Sequence, residues 1–384
     1  MEAKTRKVIA GSFIESLLDE KTLSITRMDP VEIVESTGNG SMSAYDVVEA
    51  FSKRAAYGHQ MSLNLLEVGF SVVLERAREL DSYYQKHGRP VGPLHGLPIT
   101  LKDHFDRGTG KERVFQSELI EELVSLGAVV IGKSSLVTTK WAPSGCRQRS
   151  TEFYSHKPSS GRLSLKDAPA SGKANMVIPG AIGILGPSVA SLKLMFKSLQ
   201  STEPWKRDPF VLPIEYREYR EYNPENDPLP VFEIMKDDGI VRPHPPIARA
   251  MDIVEKAILK AGYGTSAWDP PSHAETIKLH GPIARGDGIP DAWRNIQLSG
   301  EAIVPQLLGN VFPGGKLQPP MNLIDWEDRV LHMQDYRTRY QAYWESTSNA
   351  TSDGRPVEAF VVPIAATAAF IPRNFYRSGK KNNA

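Results

Sequence analysis

The chain has 384 residues, with 46 Lys and Arg against 45 Asp and Glu, so its net charge of +1 creates no global field that would draw it to nucleic acid or an anionic membrane. Apolar residues at 40% and charged residues at 24% are the balance of a soluble globular protein, and the length is enough to bury a large core. The single cysteine, Cys146, excludes an internal disulfide framework and a cysteine-rich metal site, and it fits a reducing compartment.

Residues 1–30 mix charges with no apolar run long enough for a signal peptide, and no later stretch is long enough to span a bilayer, so the expected location is the cytoplasm. Ser43 opens an amphipathic helix whose apolar positions Val47, Val48 and Phe51 recur at helical spacing, and a second helix is predicted over Ser71 to Gln85. A turn-rich stretch holding Pro93, His95, Gly96 and Pro98 then runs into a short apolar strand, Pro98 to Lys102. Next come a helix from Phe115 to Leu126 that stops at Gly127 and a strand from Ala128 to Gly132, the strand–helix–strand unit of a parallel sheet. The rhythm continues with a helix over Val189 to Leu199, a strand at Val231 to Ile234, a helix from Pro246 to Ala261 capped by Gly262, and a strand at Thr265 to Trp268. Alternation of helix and strand makes the class α/β. Ser201 to Leu229, rich in proline and charge, reads as a long surface excursion; residues 308–320 read as a loop, and Trp326 to Trp344 as a helix.

The chemistry begins at Lys102. A strand that ends on a lysine places an ammonium where pockets of open α/β sheets gather, and burial lowers a lysine's pKa enough to make it a base. Gly127 to Ser134 spells GAVVIGKS, a literal match to the phosphate-loop pattern, but Val129, Val130 and Ile131 are branched strand residues, the opposite of the flexible backbone that cradles phosphate. The nine histidines include no H-E-x-x-H pair, and His273 with Glu275 lacks the cysteines of a zinc deaminase, so metal catalysis is not expected. No G-x-S-x-G elbow occurs. His95 and His104 flank Lys102 in sequence, and His95 lies in a turn, where a structural hydrogen bond is its expected role.

The block GPLHGLPITLKD, Gly92 to Asp103, followed by Phe105, strongly resembles the opening block of the amidase signature family, and within it of fungal acetamidase-like members. Further resembling blocks follow in order: AFSKRAAYGHQ from Ala50, ERARELDSYY from Glu75, KPSSGRLS from Lys157, IPGAIGILGPSV from Ile178, DDGIVRPHPPI from Asp237 and WDPPSHAE from Trp268. The resemblance implies an α/β amidase-signature fold with a mixed central sheet flanked by helices on both faces, in one domain over 1–384. Residues 1–90 would be its N-terminal helices, 91–200 a remnant of the signature core, and 201–384 an insertion with a C-terminal helix and strand region. It also implies hydrolysis of a carboxamide by a Ser, cis-Ser, Lys triad with Lys102 as general base. The implied partner is a small-molecule amide, with no nucleic acid, no membrane and no cofactor; oligomeric state is not legible.

The family places a glycine-rich serine stretch and a second glycine–serine segment between the strand ending in Gly-Lys and the KPSSGR turn. Here the interval Ser134 to His156 contains neither, and Gly145 is the one glycine in it. Ser144-Gly145-Cys146 is a candidate remnant, Arg149-Ser150 another, and the position of the nucleophile falls on Arg147. The stretch from Arg107 to Arg113 and the segment after Val357 to Pro363 are also shorter than the family pattern. The expectation is a truncated member whose amidase activity is weak or absent, with a non-catalytic binder of a small amide or a protein as the alternative.

Overall fold

The computed structural model describes residues 12–62, 65–102, 117–134, 153–168, 177–300, 302–303, 305–308, 311–351 and 354–367. Local signals set the first helices. After the short α1 (Ser12–Glu15), Asp19 caps α2 (Glu20–Arg27) by accepting from the Thr22 N–H at 2.8 Å. Asp29 and Glu32 form a reciprocal capping box at the start of α3 (Pro30–Gly38), whose first residue is a proline that needs no donor there. The helix predicted from Ser43 is α4 (Ala44–Ser62); Val47 and Val48 are fully buried on its inner side, and the Ser43 hydroxyl accepts from the Asp46 N–H. A short strand, β1 (Leu65–Glu67), leads to α5 (Phe70–His87), which ends on Gly88 in the left-handed region.

The strand expected at Pro98 to Lys102 forms with those bounds as β2. The following helix, α6, spans Glu118–Ser125; Ser117 is extended at its start, so the helix begins later than the apolar pattern predicts, and Phe115 lies outside the described residues. Gly127 then turns the chain into β3 (Val129–Ser134). β2 and β3 are parallel and β1 is antiparallel to β3, giving a mixed sheet in the order β1-β3-β2. Val129 and Ile131 pack with Val48, Val73, Ala77 and Leu80 of α4 and α5. Leu101, Ile99 and Val130 pack with Leu119 and Leu123 of α6 and with Leu192 and Phe196 of α7 (Val189–Gln200). The sheet is thus covered by helices on both faces, as expected. The antiparallel pair β4 (Tyr154–His156) and β5 (Ile184–Gly186), which periodicity did not predict, stands just before α7.

Contacts divide the chain into two compact units, the first comprising Met1–Trp141, Glu152–Ala170 and Gly180–Arg217 and the second Ala142–Thr151, Ser171–Pro179 and Glu218–Ala384. In the first, the start of the proline-rich stretch departs from the expected surface excursion: Pro204, Asp208 and Val211 are buried. Its anchor is electrostatic. Arg207 bridges the buried carboxylates of Glu118 and Glu122, one helical turn apart on α6, and the Ser164 hydroxyl donates to Asp208 at 2.6 Å. A local reading of proline and charge sees only polarity and misses a partner some 85 residues away.

The second unit holds an all-parallel sheet in the order β7-β6-β8, from β6 (Val231–Ile234), β7 (Gly264–Ala267) and β8 (Ala359–Val361). α8 (Pro245–Lys260) connects β6 to β7 in the expected strand–helix–strand order. α9 (His273–Ala284), α10 (Pro290–Ser299) and α11 (Pro305–Leu308) precede the long α12 (Leu323–Ser346), which extends the helix predicted over Trp326 to Trp344 at both ends.

Candidate functional site

The loop before Lys102 is held by backbone rather than by side chains. The Leu94 N–H donates to Leu126 O at 3.0 Å, the Gly96 N–H to Gly127 O at 2.9 Å, and the Val129 N–H to Leu97 O at 2.8 Å, so the turn before β2 is laced to the turn before β3. Gly127 is what allows this approach: its φ is +92°, and a Cβ there would lie 2.8 Å from the Cα of His95. From the other side, the Thr37 hydroxyl of α3 donates to His95 O at 2.6 Å.

His95 is 2% exposed, and its Nδ1 accepts from the Val91 N–H at 3.2 Å. Burial pushes its pKa down, which keeps the ring neutral and able to accept that bond. The residue is therefore a structural pin for the loop, as its turn position predicts. Leu94 and Leu97 fill the core beneath it. β2 leaves this anchored turn with Leu101 buried and ends on a half-buried Lys102 at the carboxyl end of a parallel strand. Asp103, His104, Ser144, Gly145, Cys146, Arg147, Arg149 and Ser150 lie outside the described residues.

The second unit carries a groove of about 680 Å³ beside α9 and α12, lined by Asp238, His273, Thr276, Tyr336, Arg337 and Tyr340 among others. One of its lining residues, Tyr340, packs on an aromatic cluster built on Trp268, which is 4% exposed and stacks on Phe360 at 4.6 Å and 5°, with Tyr343 and Trp344 edge-on at 4.8 and 5.1 Å. Polar tips are tied together: Trp268 Nε1 donates to the Tyr340 hydroxyl at 3.1 Å, and His273 Nε2 lies 3.4 Å from the same oxygen. Tyr343 accepts from the Asp269 N–H at 2.8 Å and donates to the buried Glu233 at 3.2 Å. Burial raises the pKa of Tyr340, so its phenol stays protonated. The sequence reading names His273 but passes over the tyrosines; the spacing of Tyr336, Tyr340, Tyr343 and Trp344 along one helix is the signal that would have found them.

Among the described residues there is no group of three or more His, Cys, Asp or Glu side chains that could hold a metal ion, and no helix long and apolar enough to cross a membrane.

The family model described as Amidase matches residues 46–145 and 151–383. The chain is 29% identical to the acetamidase of Aspergillus oryzae, over 94% of this chain and 77% of that protein, and 28% identical to the acetamidase of Emericella nidulans, over 92% and 75%. The first of these alignments runs to 427 positions, more than the 384 residues of this chain, so it includes stretches of the relative with no counterpart here. Among solved structures, fatty acid amide hydrolase superposes with a TM-score of 0.77 at 21% identity, covering 92% of this chain and 72% of that one. The structure titled "Crystal structure of amidase" gives 0.64 at 16%, covering 89% and 83%. At these identities the structural matches establish the fold.

Proposed function

The chain belongs to the amidase family, and from that premise we propose that its chemistry is hydrolysis of a small carboxamide to a carboxylate and ammonia or an amine, with Lys102 as general base and with weak or absent turnover. The observation that carries the reading is the placement of Lys102: a half-buried amine at the carboxyl end of a parallel strand, behind a loop pinned by Thr37, His95 and Gly127. Such a site can hold a lysine neutral and ready to accept a proton. Acetamidases among the relatives support a short-chain amide as substrate, and hydrolysis needs only water besides.

Weak turnover follows from the interval Ser134 to His156, which has one glycine and neither glycine–serine motif, and so offers no evident set of backbone donors for an oxyanion. Two observations support a loss within the chain: the alignment to the Aspergillus oryzae acetamidase exceeds the chain's own length, and the family match breaks over residues 146–150. Ammonia release from acetamide is expected to stay at the buffer's rate. Sustained release that Lys102→Ala abolishes would overturn the prediction of weak turnover and leave the role of Lys102 standing. That role is read separately by labelling with a fluorophosphonate, which needs an activated serine but no turnover; labelling unchanged in Lys102→Ala would refute it.

The groove of the second unit favours a second reading, a non-catalytic binder of a small amide. Two tyrosine rings, Tyr336 and Tyr340, line it beside His273, and the Tyr340 hydroxyl is fixed by Trp268, so a planar amide could stack there and meet a held polar tip. Benzamide is then expected to quench tryptophan fluorescence saturably, with an affinity that Tyr340→Ala lowers and Lys102→Ala leaves unchanged.

A further inference from the structure

The strand pair that presents Lys102 carries a hydroxyl that the reading above leaves unused. β3 ends on Ser134, the last residue of the GAVVIGKS block, whose phosphate-loop spelling its strand conformation rules out. Along β2 and β3, Pro98 is opposite Val129 and Ile99 opposite Val130; the register then slips, so that Thr100 is opposite Gly132, Leu101 opposite Lys133 and Lys102 opposite Ser134. Ile131 is the extra residue, and its side chain is buried against α4 and α5.

The slip decides which side chains are neighbours. In continuous register Lys102 would sit opposite Lys133, setting two ammonium groups side by side, a repulsive pairing. A bulge of one residue exchanges that ammonium for a hydroxyl, and bulges are a recurrent means of re-aiming side chains near active sites. Residues opposite each other in a sheet direct their side chains to the same face with Cβ atoms about 5 Å apart, a gap that the four-carbon stem of lysine can span. Ser134 and Lys102 are both half-buried, and both stand at the carboxyl ends of parallel strands, where ligands enter.

We propose that Ser134 and Lys102 form a serine–lysine pair that takes an acyl group from activated esters and amides; this rests on the reading of Lys102 as a base. As the Ser134 Oγ bonds to the acyl carbon, its proton passes to the neutral Nζ of Lys102. The bond from that carbon to the leaving oxygen or nitrogen then breaks, and the ammonium returns the proton to the leaving group. Water attacks the resulting ester, Lys102 takes a proton from it, and collapse releases the carboxylic acid and returns the proton to Ser134. Aryl esters fit this pair because their leaving groups need little help. Unactivated amides, whose amine leaving groups are poor, are expected to react far more slowly.

The test is fluorophosphonate labelling of the full chain with the adduct mapped by mass spectrometry. The expected adduct is on Ser134, absent in Ser134→Ala and formed about 10²-fold more slowly in Lys102→Ala. An adduct on any other serine overturns the pair, even where it still requires Lys102 and so leaves the reading of that lysine intact. No adduct on a cooperatively melting wild-type chain also overturns it. A second measurement needs no acyl chemistry: in Ser134→Cys the iodoacetamide rate should report a thiol pKa below the usual value of about 8.5, restored by adding Lys102→Met. A thiol of ordinary pKa whichever residue stands at 102 refutes the proximity.

Discussion

Replacing Gly127 by alanine tests the scaffold on which Lys102 depends. At φ +92° an L-residue incurs about 1–2 kcal/mol of backbone strain. The added methyl also lies 2.8 Å from the His95 Cα and 3.1 Å from its N, which are backbone atoms that cannot swing aside. Forcing that loop outward should cost about a further 1–3 kcal/mol, the usual range for an overfilled core. Gly88 provides the control, because it is also left-handed, at φ +64°, yet has nothing within 4 Å of its absent Cβ. Gly88→Ala should therefore show the strain alone, and Gly127→Ala the strain and the clash together. Urea unfolding of both variants measures the two losses. Fluorophosphonate labelling should also fall in Gly127→Ala and hold in Gly88→Ala, since only the former moves the turn that feeds β2. Losses equal within about 0.5 kcal/mol, or labelling unaffected by Gly127→Ala, would refute the claim that this close approach positions Lys102.

Two further outcomes concern the packing of each unit. Glu122 is buried beside Glu118, and burial raises its pKa in the folded state above that of the unfolded chain, although Arg207 pulls it the other way. A carboxyl shifted upward binds its proton more tightly when folded, so its contribution to stability is greatest below its unfolded pKa and is lost as pH rises through the folded one. The stability of the wild type relative to Glu122→Gln should therefore increase from pH 7 toward pH 4, as read by urea titrations; a difference that shrinks on acidification would reverse the assignment. Trp268→Ala should cost the second unit about 3–5 kcal/mol, the range for emptying a buried aromatic site, and should abolish most of the near-ultraviolet dichroism, whereas Leu298→Ala, 79% exposed, should change neither.

What could be read from the residues in order was what depends on residues close in order. Val47, Val48 and Phe51 marked α4, Gly127 and Gly262 marked helix ends, and Pro98 to Lys102 was legible as a strand because its turn signals and its apolar run adjoin it. The block around Lys102 also carried the family and with it the fold. Pairings between distant segments were not legible. Periodicity says that β2 and β3 are strands, but not that one bulged residue between them sets Ser134 rather than Lys133 beside Lys102. Charge says that Glu118, Glu122 and Arg207 are polar, but not that Arg207 reaches from the surface to two buried carboxylates. The physical reason is the same in each case: helix caps, turns and amphipathic faces are settled by neighbours along the chain, whereas strand register and long-range ion pairs are settled by which surfaces fit when the chain closes on itself. The origin of the lysine was therefore written in its sequence, and the company it keeps was decided by the fold.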